Sequence, residues 1–365
     1  MIREGRFGVF EAVTLLFWPI LGKIFLSYAS GIIKENVSAA WIAVFLGCLA
    51  ALLWFIPLNA LMKRFPGEDL ISIGVKSAGP LLGNLLTAVI VIFIFFSAAV
   101  TLRQIGETII GTALPQIPLL VIMIAFAIVM ALGAYWGLEA TARIAAITTP
   151  FLIILLVGLL LMQTGNMNIN YLAPLGGPGI PKLALNGFMR SSILSELVLL
   201  AFLAPALPRK KTGAAGFYLI ALSTLFLTVI MIIGQSIFPP PVAAENTFPF
   251  YEIARSVYFG RFYQRVESIF IIIWITITLF SMIVRFYFAV TGMAKIFKMP
   301  YYQPLIGMAS LGVLGAAFLF PSYTSVVWWD NLIRGRWAWV PAFAIPLLLY
   351  LIAVVRGKSK KSSEF

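Results

Sequence analysis

Histidine is absent from this 365-residue sequence, and cysteine occurs once, at Cys48. Without imidazoles there is no histidine zinc site and no histidine proton relay, so any proton-linked step falls to Glu, Asp, Lys or water. A single cysteine excludes an internal disulfide and a cysteine metal cluster. Charge is scarce as well: Asp, Glu, Lys and Arg make up only 11% of the chain. Ser195 beside Glu196, with Lys23 elsewhere, is the nearest thing to a nucleophile site. It has no phosphate cradle, no metal ligands and no third group. The sequence therefore predicts no catalytic residue, no metal, no cofactor and no enzyme.

What is present is apolar. Hydrophobic residues account for 61% of the chain and the mean hydropathy is +1.02, values of a polytopic membrane protein with no separate soluble domain. Hydrophobic runs predict an all-α bundle of ten spans in one transmembrane domain, 1–365. They lie near 9–30, 38–61, 82–113, 117–135, 141–163, 186–207, 213–237, 265–296, 303–321 and 338–355. The first follows the short basic start MIREGR; it is too long for a signal-peptide core and lacks a small-residue cleavage site, so it reads as a mature helix.

The formal charge of +13 is explained by topology and does not call for nucleic acid. Arg3, Arg6, Lys63, Arg64, Lys76, Arg143, Arg209, Lys210, Lys211, Lys295, Lys298, Arg356, Lys358, Lys360 and Lys361 fall on one side. Lys34, Lys182, Arg255, Arg261, Arg265, Arg334 and Arg336 fall on the other. Basic residues are retained inside, which predicts that both termini, including the tail 356–365, are cytoplasmic.

Two spans are interrupted. Val13 to Ser30 carries Trp18, Pro19, Gly22 and Lys23, and Gly187 to Leu207 carries Arg190, Ser191, Ser192, Ser195 and Glu196. Such groups leave something polar for the bilayer to reject, so the protein must meet them. Breaks in the first and sixth of ten spans are what two inverted five-helix repeats, 9–163 and 186–355, predict. Asn166 to Lys182 reads as an irregular loop entering the second break. The stretch 239–267 reads as one or two short helices across the outer face, either a lid or an interfacial connector.

The run FPFYEIARSVYFGRFYQRVESIFIIIW (Phe248 to Trp274), the acidic break SSILSELVLLAFLAP (Ser191 to Pro205) and the loop YLAPLGGPG (Tyr171 to Gly179) resemble the B subunits of bacterial spore nutrient-germinant receptors. Those proteins are similar to the amino acid/polyamine/organocation transporter superfamily, with its LeuT-like core of two inverted five-helix repeats. The resemblance implies a nutrient-sensing subunit that works with an A subunit and a lipoprotein C subunit in the spore inner membrane, or the cell membrane, of a spore-forming bacterium. One departure is plain: where the superfamily has a small, glycine-rich first break, this chain reads FWPILGKIF.

Lys23 lies about 15 residues into its span and Glu196 about 10 into its own, so at about 1.5 Å per residue both reach the middle third of the membrane. Together they either neutralise each other as a static pair or form a ligand and proton-coupling site with Trp18, Pro19, Gly22, Ser191, Ser192 and Ser195. Phe96 on the third span and Trp274 on the eighth are candidate walls of that pocket. Arg103 and Glu107, at i and i+4, with Arg190 at similar depth, suggest an outer gate in which Glu107 exchanges between the arginines, or a permanent pair. Glu11 and Arg285 suggest an inner gate. Three functions fit: a subunit sensing a small nutrient, an amino acid above all; a proton-coupled amino acid transporter; and an ion-channel subunit.

Overall fold

The computed structural model describes residues 5–6, 8–208, 211–257 and 266–359. Among the described residues there is helix and no strand. Arg3, Arg209, Lys210, Arg261, Arg265, Lys360 and Lys361 lie outside them, as do residues 258–265 of the expected outer segment and 360–365 of the tail.

Eight stretches are long and apolar enough to cross a membrane, and Gln303–Phe318 is a shorter apolar helix. The first stretch, Val9–Arg64, is 56 residues long. Straight, it would measure about 84 Å, nearly three hydrocarbon thicknesses, so it must turn within itself. The turn is at Val37, a non-glycine residue with φ 52° that opens the short 3₁₀ turn Val37–Ala39. The first span is therefore 9–36 and the second Ala40–Arg64.

The remaining apolar stretches follow in order as Pro80–Thr112, Leu119–Trp136, Leu138–Met162, Ile180–Leu203, Thr212–Ile237, Glu267–Ile296, the shorter helix Gln303–Phe318 and Tyr323–Val355, and they carry the numbers of the ten spans that the sequence predicts. The tenth begins fifteen residues before the expected 338, and the sixth six before the expected 186. Both shifts take in polar residues that composition assigns to loops.

Three spans depart from α-helix where they meet. The first is π-helical over Ile24–Tyr28, with Leu26 at φ −90°, ψ −146°. The sixth winds into a nine-residue 3₁₀ run, Arg190–Val198. The tenth is π-helical over Asp330–Trp337 and again over Val340–Ala344. Long 3₁₀ runs and π turns are unfavourable in isolation and mark functional or strained stretches. The first span packs on the fifth, seventh and eighth, and the second on the sixth and seventh. The second and sixth approach so closely at Gly47 that a Cβ there would lie 2.9 Å from the backbone carbonyl group of Arg190.

The first and last described stretches lie at one end of the bundle. Arg356 Nη1 donates to the carbonyl of Ala78, and Gly5 and Arg6 share a cleft with Val75 and Lys76. A short helix there, Leu70–Ala78, is capped by Asp69, which accepts from the amides of Ile71 and Ser72; the hydrophobic runs had not predicted it. At the opposite end the 166–182 loop docks through Ser38 Oγ, which donates to the carbonyl of Pro174 at 2.7 Å. The expected outer segment contains two short helices, Pro240–Glu245 and Pro249–Arg255.

Candidate functional site

The first and sixth breaks meet at one cation. Lys23 Nζ, with its side chain 1% exposed, lies 2.5 Å from Glu196 Oε2. It donates to the carbonyls of Ser192 (3.3 Å) and Ile193 (3.2 Å) and to Ser195 Oγ (2.8 Å). Four oxygens thus surround the ammonium: one carboxylate, one hydroxyl and two carbonyls from the 3₁₀ run. Donors and carbonyls freed at broken helices are the usual membrane solution for holding ions. Here the ion is part of the chain.

Glu196 is shared. Its Oε1 accepts from Arg285 Nη2 at 2.7 Å, and that same guanidinium nitrogen reaches the carbonyl of Pro19 at 3.2 Å. Arg285 Nη1 donates to Ser281 Oγ and, at 3.0 Å, to Thr101 Oγ1. Thr101 Oγ1 also accepts from Arg334 Nη1 at 2.8 Å. Arg334 Nε lies 2.9 Å from Asp330 Oδ1, an ion pair by separation though not aligned as a hydrogen bond. Asp330 Oδ2 in turn accepts from Gln104 Nε2 (3.0 Å) and Ser27 Oγ (3.3 Å). A continuous polar chain therefore runs Lys23, Glu196, Arg285, Thr101, Arg334, Asp330, Gln104, Ser27, every member at least nine-tenths buried.

The cavity beside this chain, lined by Phe93, Ser97, Ser195, Glu196 and Arg285, holds only about 10 Å³. That is room for a single water at most. Lys23, Glu196 and Arg285 hold one another's polar groups, and a ligand enters only if the breaks move.

The remaining expected site residues are distributed as follows. Trp18 Nε1 donates to Thr149 Oγ1 at 2.9 Å, tying the first span to the fifth. Gly22 lets the eighth span approach: a Cβ would sit 2.9 Å from the Ile277 methyl. Ser191 Oγ is buried without a partner, and Ser192 Oγ accepts from the Trp339 amide at 3.2 Å. Trp274 is buried, with its indole N–H unpartnered. Phe96 packs on Phe320, against a small cluster with Val100 and Val326 that is separate from the main core.

The expected gate residues are placed as follows. Arg285 lies against the central carboxylate and not at the inner end; among the described residues no ion pair joins it to Glu11. Arg285 is 18 residues along a 30-residue helix, longer than the membrane's apolar core, and this leaves it at the level of the breaks. Glu107 is held by Arg103 at 2.7 Å, whose guanidinium also covers the Phe318 ring. Arg190 instead pairs with Glu35 at 2.7 Å and stacks on Tyr28 at 5.1 Å. Asp330, Arg334, Glu35, Gln104 and Ser27 escaped the sequence reading. Asp330 and Arg334 share a helix face at i and i+4, which was the available signal.

Comparison with known proteins supplies the family. A family model named spore permease, described as spore germination protein, matches residues 7–324. Spore germination protein YndE of Bacillus subtilis (strain 168) is 25% identical over 329 residues, covering 88% of each chain. Spore germination protein KB of the same organism is 23% identical over 337 residues and 89% of each chain. Spore germination protein XB of Bacillus anthracis is 21% identical over 336 residues, 88% of this chain and 90% of that one. Among solved structures, the nucleobase-cation-symport-1 family transporter Mhp1, in a closed conformation with bromovinylhydantoin bound, superposes with a TM-score of 0.65 at 12% identity, covering 96% of this chain and 94% of the other. The fold is the LeuT type of that transporter, and none of these matches is to an enzyme family. With broken first and sixth helices meeting at a buried ion, and a family match across most of its length, the chain belongs to the spore germination proteins, integral membrane proteins of spore-forming bacteria built on a transporter fold.

Proposed function

We propose that this chain is the nutrient-binding membrane subunit of a spore germination receptor. It spans the membrane ten times, with both termini cytoplasmic. A small nutrient, an amino acid, binds at mid-membrane between the broken first and sixth spans and shifts a transporter-like equilibrium that A and C subunits read. The observation that carries this reading is the four-oxygen shell around Lys23 Nζ. A cation-coupled transporter must release its ion on the far side. An ammonium fixed to the first span cannot leave, so no cation gradient drives the cycle through this position, while a ligand that competes for its partners still shifts the fold between states.

The runner-up is a proton-coupled amino acid transporter, which the likeness to a transporter fold favours. Uptake of a labelled amino acid mixture into proteoliposomes holding this protein alone, with and without an inward proton gradient, separates the two. The receptor reading expects no accumulation, together with an amino acid that raises the melting temperature. Accumulation that collapses with the gradient and vanishes in Glu196→Gln overturns it.

A further inference from the structure

The central cluster holds Lys23, Arg285 and Arg334 against Glu196 and Asp330, all at least nine-tenths buried. In their ordinary charge states three cations face two carboxylates, and among the described residues no other carboxylate lies within ion-pair distance of them. The excess positive charge is concentrated where two guanidiniums converge: Arg285 Nη1 and Arg334 Nη1 both donate to Thr101 Oγ1, at 3.0 and 2.8 Å. That hydroxyl also donates to the carbonyl of Ser97 at 2.8 Å, so its donor and both lone pairs are used. Two like charges sharing one neutral oxygen in a buried site repel each other, and the group that relieves the repulsion is an anion.

A second observation comes from the other end of the same cluster. Gln104 is fully buried and its Nε2 donates to Asp330 Oδ2. A carboxylate in an ion pair accepts only, so this contact fixes the amide orientation. Oε1 then remains a buried acceptor with no donor. An orphan acceptor one helical turn from Thr101 on the third span matches an ammonium group.

We propose that Arg285 and Arg334 form an anion subsite at the junction of the third, eighth and tenth spans, taking the carboxylate of a zwitterionic nutrient whose ammonium group donates to Gln104 Oε1. This rests on the nutrient-binding reading and moves the carboxylate away from Lys23, whose contacts are already filled. The subsite opens when the carboxylate displaces the shared Thr101 contact. The same chemistry accepts a free inorganic anion, and the test distinguishes the two.

The full-length protein is melted with each of the twenty common L-amino acids, with the carboxamide of any that stabilises it, and with chloride replacing sulfate at fixed ionic strength. The expected result is stabilisation by at least one amino acid, none by its carboxamide, and an affinity at least about tenfold weaker in Arg334→Gln, a variant that leaves the cluster neutral without an anion. If Arg334→Gln does not fold, Arg334→Lys, which keeps the charge but lacks the planar fork, replaces it, with a loss of several-fold expected. Stabilisation by chloride alone, lost in the Arg334 variant, supports the subsite with a free anion as occupant. An amino acid that binds as well as its carboxamide, or equally well to the Arg334 variant, overturns the subsite and leaves nutrient binding standing. No stabilisation by any amino acid or by chloride overturns both.

Discussion

The first and sixth spans are broken at the same depth by opposite means. The first is underwound into a π segment, Ile24–Tyr28, and contributes a side chain, the Lys23 ammonium, from the last residue before the break. The sixth is overwound into a 3₁₀ run, Arg190–Val198, and contributes backbone, the carbonyls of Ser192 and Ile193, together with Ser195 and Glu196. One break is the ion and the other is its shell. The asymmetry makes the pair directional: damage to the shell strands two cations, whereas damage to the ion leaves Glu196 still paired with Arg285.

That difference is testable in order of effect. Glu196→Gln leaves both Lys23 and Arg285 without their shared carboxylate, and a loss of about 3–5 kcal/mol in unfolding free energy is expected in detergent. Lys23→Met leaves two carbonyls and a hydroxyl short of one donor, and about 2 kcal/mol is expected from the same measurement. If Lys23→Met costs as much as Glu196→Gln, the two breaks are equivalent and the comparison fails. The double variant should destabilise by clearly less than the sum of the two.

Close helix approach sharpens the contrast further. Gly47→Ala meets the backbone carbonyl group of Arg190, which cannot rotate aside, so about 1–3 kcal/mol is expected. Gly22→Ala meets only the Ile277 methyl, which has rotamers to yield, and should cost about 1 kcal/mol at most. The smallest effect is expected at the rim. Glu35→Gln loosens Arg190 while Tyr28 still covers it, and because Glu35 is about a third exposed the change should stay below about 1 kcal/mol. A larger loss there would make the outer pair as structural as the central one.

Lys23 and Glu196 stand out in the sequence because each is a charge deep in a largely apolar run, where the bilayer penalises it. Asp330 and Arg334 do not. They sit among Trp328, Trp329, Arg336 and Trp337, the composition of an interfacial loop, and Trp328 and Trp337 are indeed exposed. Only packing reveals that the opposite face of that stretch turns inward and extends the tenth span to Tyr323. Arg285 illustrates a different limit. Residue counting gives depth along a straight helix but not which neighbour faces it, and Glu196 was at hand where Glu11 was expected. The sixth break is legible from the serine cluster, whereas the first falls at Ile24–Tyr28, beyond Pro19 and Gly22, which lie within the α-helix Val9–Lys23, because the place and kind of break depend on tertiary packing that no local pattern encodes.

The π segments of the first and tenth spans, Ile24–Tyr28 and Asp330–Trp337, lie against each other. A π turn holds one residue more than an α turn, so each is a line defect in an otherwise regular lattice of hydrogen bonds. Passing such a defect one turn along a helix swivels the stretch between by about 100° and shifts it by about 1.5 Å, with the ends left where they were. Ser27, Tyr28, Asp330 and Arg334 all ride on these two defects. A small displacement of either would re-aim a ring, a hydroxyl and two charges together, turning a local slip into a change of which faces meet.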